Sequence, residues 1–528
     1  MYRDLTQLEN RLSGETNAKS ILALDEQIRE HEAALRKLKR ARNSLLNFSK
    51  LPPELLGNIF RWNVTLKGDF GGLGKESHNF LLVCHHWFQV ASSTPELWSF
   101  WGNNPKDWAR WCRRSRTAPL DLVLNTNTSD GDLDTTLLDV LQDRADRDTI
   151  RRVHLNAADS GLLSSIISSL TSHSGSGVPR SIGVKSFVLH NESDELVDIS
   201  DFFAYHRFPK LQRLELADCT ISSWNLITSR IVTLTTLDLD SYTLEPVPTT
   251  PQLLSVLASN PALQKLVLFV LVAPDDSAED PSPPVSLRHL KELKLGGDPQ
   301  AVFGILGRLD HPRHMDILDI TLYGCAVEDV SQVIGPHVQD YLQHRGKSQN
   351  GLGLALSSEY EIRFHVGDVD GIDFSVPAPT RVNTFMMVTI QLTQTPSKDR
   401  LEKAILDLIA HAPRDEIVYF RAHGKPLAVQ DISTQFPNLK GLHFERTPLP
   451  AAFPKANHDG DGETFHCLQY ICLDRVVVRG GDGWEPLVAF LLFRAHSGNR
   501  LHSLVIVGPY RRPPTITQEM VQEFRLTP

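Results

Sequence analysis

Cysteine is scarce in this sequence. Cys84, Cys112, Cys219, Cys325, Cys467 and Cys472 are scattered over 528 residues. They show no disulfide framework, which suits a reducing compartment. Long apolar runs are absent as well. None reaches 18 residues, so no segment is expected to span a membrane. The opening "MYRDLTQLENRLSG" is polar and lacks the apolar centre of a secretory leader. Charge of one sign does not dominate. The 54 Lys and Arg against 63 Asp and Glu leave a net charge of −9, which argues against general nucleic-acid binding. The sequence therefore predicts a soluble protein of the cytoplasm or nucleus, with neither nucleic acid nor membrane as partner.

Catalytic and metal signatures are missing too. "GGLGKES" hints at a phosphate loop, but Glu76 stands where the magnesium-binding hydroxyl belongs and Asp69 where the first glycine belongs. "NHDGDGE", from Asn457, begins a calcium-loop register, yet its twelfth position is Leu468 instead of a glutamate. Cys467 and Cys472 lie five apart on a strand and point to opposite faces, so they cannot share a metal. Cys84, His85 and His86 are adjacent on a helix and do not face one site. No catalytic residue, metal site or cofactor is expected.

What is present falls into three blocks. In residues 1–47, Ile21, Leu24, Ile28, His31, Leu35, Leu38, Arg42 and Leu45 follow heptad spacing, and six of these eight are apolar. This predicts a helix with a narrow apolar seam. Two readings stay open: a short self-associating coiled coil, or one helix laid on its own protein. If the seam packs internally, the chain is a monomer, and the short, interrupted pattern favours that. The run "RKLKRAR" reads as a solvated helix face or a nuclear address.

Residues 48–118 open with "LPPELLGNIFRWNV", pass a glycine-rich stretch from Lys67 to Asn79, and continue with "FLLVCHHWFQVASSTPELWSFW". Trp62, Trp87, Trp98 and Trp101 crowd into 40 residues, with Trp108 and Trp111 close behind. That density predicts a small helical core.

Residues 119–528 repeat one pattern, L-x-x-L-x-L. It occurs at Leu211, Leu214 and Leu216, and begins again at Leu234, Leu263, Leu290, Met315, Leu439, Leu468 and Leu501. Weaker copies fit at Ile150 and Val184. Adjacent copies from Leu211 to Met315 start 23, 29, 27 and 25 residues apart. The alternating last two apolar residues are a short strand with one buried face, and helical segments lie between copies. Between 326 and 435 only strand-like fragments such as "YEIRFHV", "NTFMMVTI" and "DEIVYF" remain. The period is that of leucine-rich repeats: a solenoid with parallel strands on its concave face and helices outside.

The second block resembles an F-box, the short helical motif that docks on the Skp-type adaptor of cullin–RING ubiquitin ligases. The match rests on Leu51, Pro52, Glu54, Leu55, Ile59 and Phe60, then Leu82, Val83, Cys84, Trp87, Ala91, Pro95, Leu97 and Trp98. His85 departs from the pattern, where Lys or Arg is usual, and the stretch between the halves is longer than usual. A charged helix, an F-box and degenerate leucine-rich repeats together resemble an F-box family of mushroom-forming fungi. The expected fold class is α/β: an N-terminal helix, a small all-α F-box and the repeat solenoid.

The resemblance implies adaptor binding through Leu51, Pro52, Pro53, Leu55, Ile59, Phe60, Val83, Cys84, Trp87, Leu97 and Trp98. It implies a non-enzymatic role as substrate receptor of an SCF-type ligase; the alternative is an interaction scaffold that directs no ubiquitylation. In the repeats, outward strand residues would bind a target protein, with Glu215, Asp238, Lys265, Phe269 and Lys294 the expected contacts. Val267 and Ile317 add apolar character, unless the loop "APDDSAEDPSPP" covers Phe269. Near the C-terminus, Gly441 with His443, Tyr470 with Cys472, and Ser503 with Val505 hold the same outward positions.

Overall fold

The computed structural model describes residues 17–46, 50–66, 75–101, 108–126, 135–146, 148–157, 159–171, 180–222, 224–240, 248–269, 284–310, 315–326, 334–345, 352–357, 361–369, 382–392, 398–424, 429–449, 465–478, 483–508 and 516–527. Those residues form a mixed α/β structure with a large, mostly parallel sheet and fourteen helices. The chain divides into two compact units, 1–173 and 174–528. The strands around Ile150, which the repeat pattern claims, thus belong to the unit that also holds the N-terminal helices.

The first unit begins with helix α1 (Asn17–Ser44) and α2 (Pro53–Leu66). Pro53 opens α2, where its missing N–H leaves nothing unpaired, and the Leu56 amide donates to the Pro52 carbonyl at 3.1 Å. A 3-10 turn, Lys75–Leu82, leads to α3 (His85–Ser93), and the three pack together. Phe60 stacks on Phe80 at 4.5 Å, with Trp87 tilted against it at 5.1 Å. Trp98 donates from Nε1 to the Ala91 carbonyl at 2.8 Å, and the Arg114 guanidinium lies 4.2 Å from its ring centre. The remainder is β1 (Phe100–Trp101), α4 (Trp108–Ser115), β2 (Leu120–Thr126), α5 (Thr135–Asp146), β3 (Ile150–Ala157) and α6 (Ser160–Thr171). The three strands are parallel neighbours.

The second unit is built on one ladder. Its first strands are β4 (Ser186–Asn191), β5 (Arg213–Ala217), β6 (Thr236–Asp240), β7 (Lys265–Phe269), β8 (Glu292–Gly297) and β9 (Ile317–Cys325). Each is parallel to the one before, in constant register: Leu214, Leu237, Leu266, Leu293 and Leu318 form one row. Every apolar residue of the L-x-x-L-x-L copies is buried, in both units. Helices between them, such as α7 (Ser200–Tyr205), α8 (Trp224–Arg230), α9 (Thr250–Ala258) and α10 (Pro299–Leu306), add their own apolar faces to that core.

One backbone device recurs. The carbonyl of Lys185 accepts the amides of both Gln212 and Arg213. Gln212, Thr235, Gln264 and Lys291 each do the same for two successive amides of the following strand, as do Lys440 and Gln469 nearer the C-terminus. Side chains at helix ends reinforce the stacking. Buried Asn260, just past α9, accepts the Leu234 amide at 2.9 Å and donates to the Ile231 and Val256 carbonyls.

The sequence predicts parallel strands throughout, and the middle departs from this. After α11 (Gly335–Arg345) come β10 (Leu352–Ser357), β11 (Glu361–Val369) and β12 (Val382–Leu392). β12 pairs with β9, β11 lies antiparallel between β12 and β10, and β10 pairs with β13 (Ile417–His423). Only residues 358–360 separate β10 from β11. A parallel crossover needs about a dozen residues, so the chain must fold straight back. From β13 the parallel order resumes with β14 (Gly441–Glu445), β15 (Tyr470–Asp474), β16 (Leu501–Val507) and β17 (Val521–Thr527). Helices α12 (Lys398–Ala410), α13 (Val429–Gln435) and α14 (Glu485–His496) alternate with them.

Gly441 on β14 lets the Tyr419 ring of β13 lie on the backbone. A Cβ at Gly441 would stand 2.7 Å from the Tyr419 Cδ2, and that ring is fully buried. Gly441→Val is therefore expected to cost about 1–3 kcal/mol through overpacking. The check is a lowered thermal unfolding midpoint by circular dichroism, while Gly304→Ala, in a helix where a Cβ meets nothing within 4 Å, is expected to raise it slightly.

Candidate functional site

Helix α2 is apolar on two sides, which differ in burial. Leu56 and Phe60 are buried, whereas Leu55 and Ile59 are each about half exposed and Trp62 is more so. Leu55, Ile59 and Trp62 follow i, i+4, i+7 spacing and share one face. The adjoining turn adds Leu82 and Val83, and α3 adds Phe88, all exposed. Six large apolar side chains on packed neighbouring elements exceed the scattered exposure normal for a surface, which is how an interaction patch is recognised.

The expected adaptor contacts split accordingly. Pro52, Pro53, Leu55, Ile59 and Val83 are exposed, and Leu51, Cys84 and Trp87 are half-buried. Phe60, Leu97 and Trp98 are corrections: each is buried to within 2% and forms the internal aromatic core, leaving little for a partner to touch. Trp62 and Phe88 are the residues that sequence reasoning missed. The helical period from Leu55 through Ile59 would have found Trp62.

The second candidate is the face of the ladder opposite the leucines. Charges there form a run from strand to strand. Arg213 donates to the Glu215 carboxylate at 2.7 and 3.1 Å. Lys265 Nζ lies 3.6 Å from Asp238 and 3.8 Å from Glu292, and Lys294 Nζ lies 3.2 Å from Glu292. Burial pushes the Asp319 carboxyl above its usual range, against the opposing charge of Lys294. Lys265, Lys294 and Asp238 retain exposed surface, but Glu215 is buried beneath Arg213. Glu215 is thus a structural partner of Arg213 and no longer a contact open to a target.

Phe269 is half-buried, with its ring on the backbone of Gly296, where a Cβ would come within 2.1 Å of the ring. Ile317 is exposed, as its position predicts, while Val267 is buried. Most of the loop "APDDSAEDPSPP" lies outside the described residues, as do "NHDGDGE" and residues 67–74 of the glycine-rich stretch.

Toward the C-terminus this face is closed. His443, Tyr470, Cys472, Ser503 and Val505, predicted to point outward, are each at most 2% exposed. Tyr470, Cys472 and Val505 pack as one cluster. The Tyr419 hydroxyl meets His443 Nδ1 at 3.1 Å. Burial is the main cause of the shifts here: it holds the His443 imidazole down at about 4 and pushes the Cys472 thiol up to about 11. At neutral pH the patch therefore holds a neutral imidazole, a protonated thiol and protonated phenols. At its rim Arg421 pairs with Glu445, which lies 3.8 Å from Arg475, itself 3.0 Å from Asp474.

Among the described residues no three or more His, Cys, Asp or Glu are grouped to hold a metal ion, and no helix is long and apolar enough to cross a membrane. No family model matches the chain, and no curated protein is significantly similar to it.

The His443 environment sets a pH dependence. The imidazole is depressed in the folded state from an ordinary 6.5 to about 4. Between these values the unfolded chain takes up a proton that the folded site refuses, so stability falls as pH drops through that window. The loss attributable to this group reaches about 3 kcal/mol near pH 4. Urea unfolding at pH 7 and pH 4.5 checks it: His443→Gln, which takes up no proton, is expected to narrow the stability difference between the two.

Proposed function

We propose that this chain is the substrate-recognition subunit of an SCF-type ubiquitin ligase. The observation that carries the reading is the exposure of Leu55 and Ile59 on α2 together with that of Leu82 and Val83. These residues fall within the two sequence segments that resemble an F-box, on the side that the small core leaves uncovered. An adaptor of the Skp type would bury Leu51, Pro52, Leu55, Ile59 and Val83, while Phe60, Leu97 and Trp98 hold the surface in shape from within. The repeats, read as a leucine-rich solenoid with a concave strand face, would carry the target. No bond chemistry is required of the chain. Its contribution is proximity, since tethering a target beside a charged conjugating enzyme raises the effective concentration of the reacting lysine.

The adaptor test uses the exposed residues. Leu55→Ala with Ile59→Ala removes two anchors at about 2 kcal/mol each and is expected to weaken adaptor binding by roughly a hundredfold or more. Phe88→Ala, outside the matched set, is expected to matter less. Co-purification of adaptor with the double variant at the level of the unsubstituted chain overturns the docking assignment. Retained adaptor binding without ubiquitylation of any bound protein selects the scaffold alternative.

Target recognition is assigned to the open part of the ladder face, around Asp238, Lys265, Phe269 and Lys294, with Ile317 as an exposed apolar neighbour. Lys265 pairs with acids on the strands either side of it, and Lys294 pairs with Glu292 on its own strand, while each lysine side chain stays about a third exposed. Replacing Lys265, Phe269 and Lys294 together is expected to change the set of co-purifying proteins measured by mass spectrometry while adaptor is retained. An unchanged set moves the target site elsewhere on the chain.

A further inference from the structure

Helix α1 carries an apolar seam that the described residues leave largely open from Ile28 onward. Ile21, Ile28, Leu35 and Leu38 are between 51% and 69% exposed, Leu24 is half-buried, and Leu45, one residue past the helix end, is 77% exposed. The two ion pairs along the helix, Arg29 with Glu26 and Arg36 with Glu32, are themselves well exposed and add little. Twenty-eight residues at about 1.5 Å each make a rod of about 42 Å, along which the seam from Ile21 to Arg42 runs over about three heptads.

Charge along α1 is divided by halves. From Asn17 to Ala33 the charged residues are Lys19, Asp25, Glu26, Arg29, Glu30 and Glu32; from Ala34 to Ser44 they are Arg36, Lys37, Lys39, Arg40 and Arg42. The first half is acidic and the second wholly basic. Two such helices laid side by side in the same direction put like on like. Laid in opposite directions, each acidic half meets a basic half.

The seam has the same symmetry. Reversing one helix about its middle sets Ile21 against Leu45 and Ile28 against Leu38, twice each. It also sets His31 against Leu35 and Leu24 against Arg42, so the two polar seam positions never meet their own copies. A parallel pair would stack His31 on His31 and Arg42 on Arg42. Of the flanking positions, Asp25 falls opposite Lys39 at both ends, and Glu32 meets its copy at the centre while already paired with Arg36 at 3.3 Å. We infer that α1 is a homodimerisation element that joins two copies of this chain as an antiparallel coiled coil. The arrangement sets its pairing by charge halves in the way coiled coils use flanking and polar core residues to choose orientation.

Light scattering on the full chain at micromolar concentration is expected to give twice the 59.2 kDa chain mass. Leu35→Lys is expected to return the single mass, with an unchanged circular dichroism melt of the remaining fold. Orientation is read by crosslinking. Chains carrying Ile28→Cys and chains carrying Leu38→Cys, oxidised as a mixture, are expected to form a disulfide-linked pair; neither alone should exceed the unsubstituted chain. A single mass for the unsubstituted chain, or a double mass indifferent to Leu35→Lys, overturns the dimer, and self-crosslinking of either variant overturns the antiparallel order. Adaptor binding by the Leu35→Lys monomer keeps this outcome separate from the docking assignment.

Discussion

A single backbone carbonyl at the start of a strand, accepting two consecutive amides from the next, is what the parallel runs of the second unit depend on. Lys185, Gln212, Thr235, Gln264 and Lys291 repeat it without a break, and Lys440 and Gln469 repeat it again. The contact fixes where a strand begins relative to its neighbour, and thereby the register. Because side chains alternate on a strand, a slip of one residue would turn every leucine out of the core. Register held in this way leaves the length of the connecting helix free to vary. That freedom is visible in the uneven 23- to 29-residue intervals between copies.

The leucine rows were legible from sequence because their information is local: three apolar residues at fixed spacing, each of which proves buried. The tryptophan-rich core was legible for the same reason. What escaped is non-local. Nothing within β11 announces that it runs backwards; the clue is the short gap at 358–360, which matters only once two strands are known to flank it. Inner-face burial escaped as well. Alternation correctly puts His443 and Cys472 opposite the leucines, but whether that face is open depends on neighbouring strands, here on the tyrosines at 419 and 470. In α2, the pattern marks Phe60 and Ile59 alike, and only packing shows that one belongs to the core and the other to the surface.

The N-terminal unit and the ladder treat aromatic residues differently. In the first, Phe60, Phe80, Trp87 and Trp98 supply most of a small core, and a few large side chains there replace the many leucines used elsewhere. In the ladder, Phe269 and Tyr419 lie flat on glycines of the adjoining strands. The glycine gives up side-chain packing and the ring restores it from next door. The two positions form a pair, and substitution of either half exposes the other.

The reversed strand also bears on how the chain is made. In a simple repeat array each strand is covered by the next to leave the ribosome. Here Leu318 of β9 waits for Met386 of β12, about 70 residues later, or several seconds at about 5–20 residues per second. Through that interval β9 presents an unpaired edge of nine residues, the kind of edge that recruits foreign strands. The nascent chain thus carries a vulnerable edge at mid-synthesis that the finished protein does not show, and β12, which follows the reversed β11, is the strand that closes it.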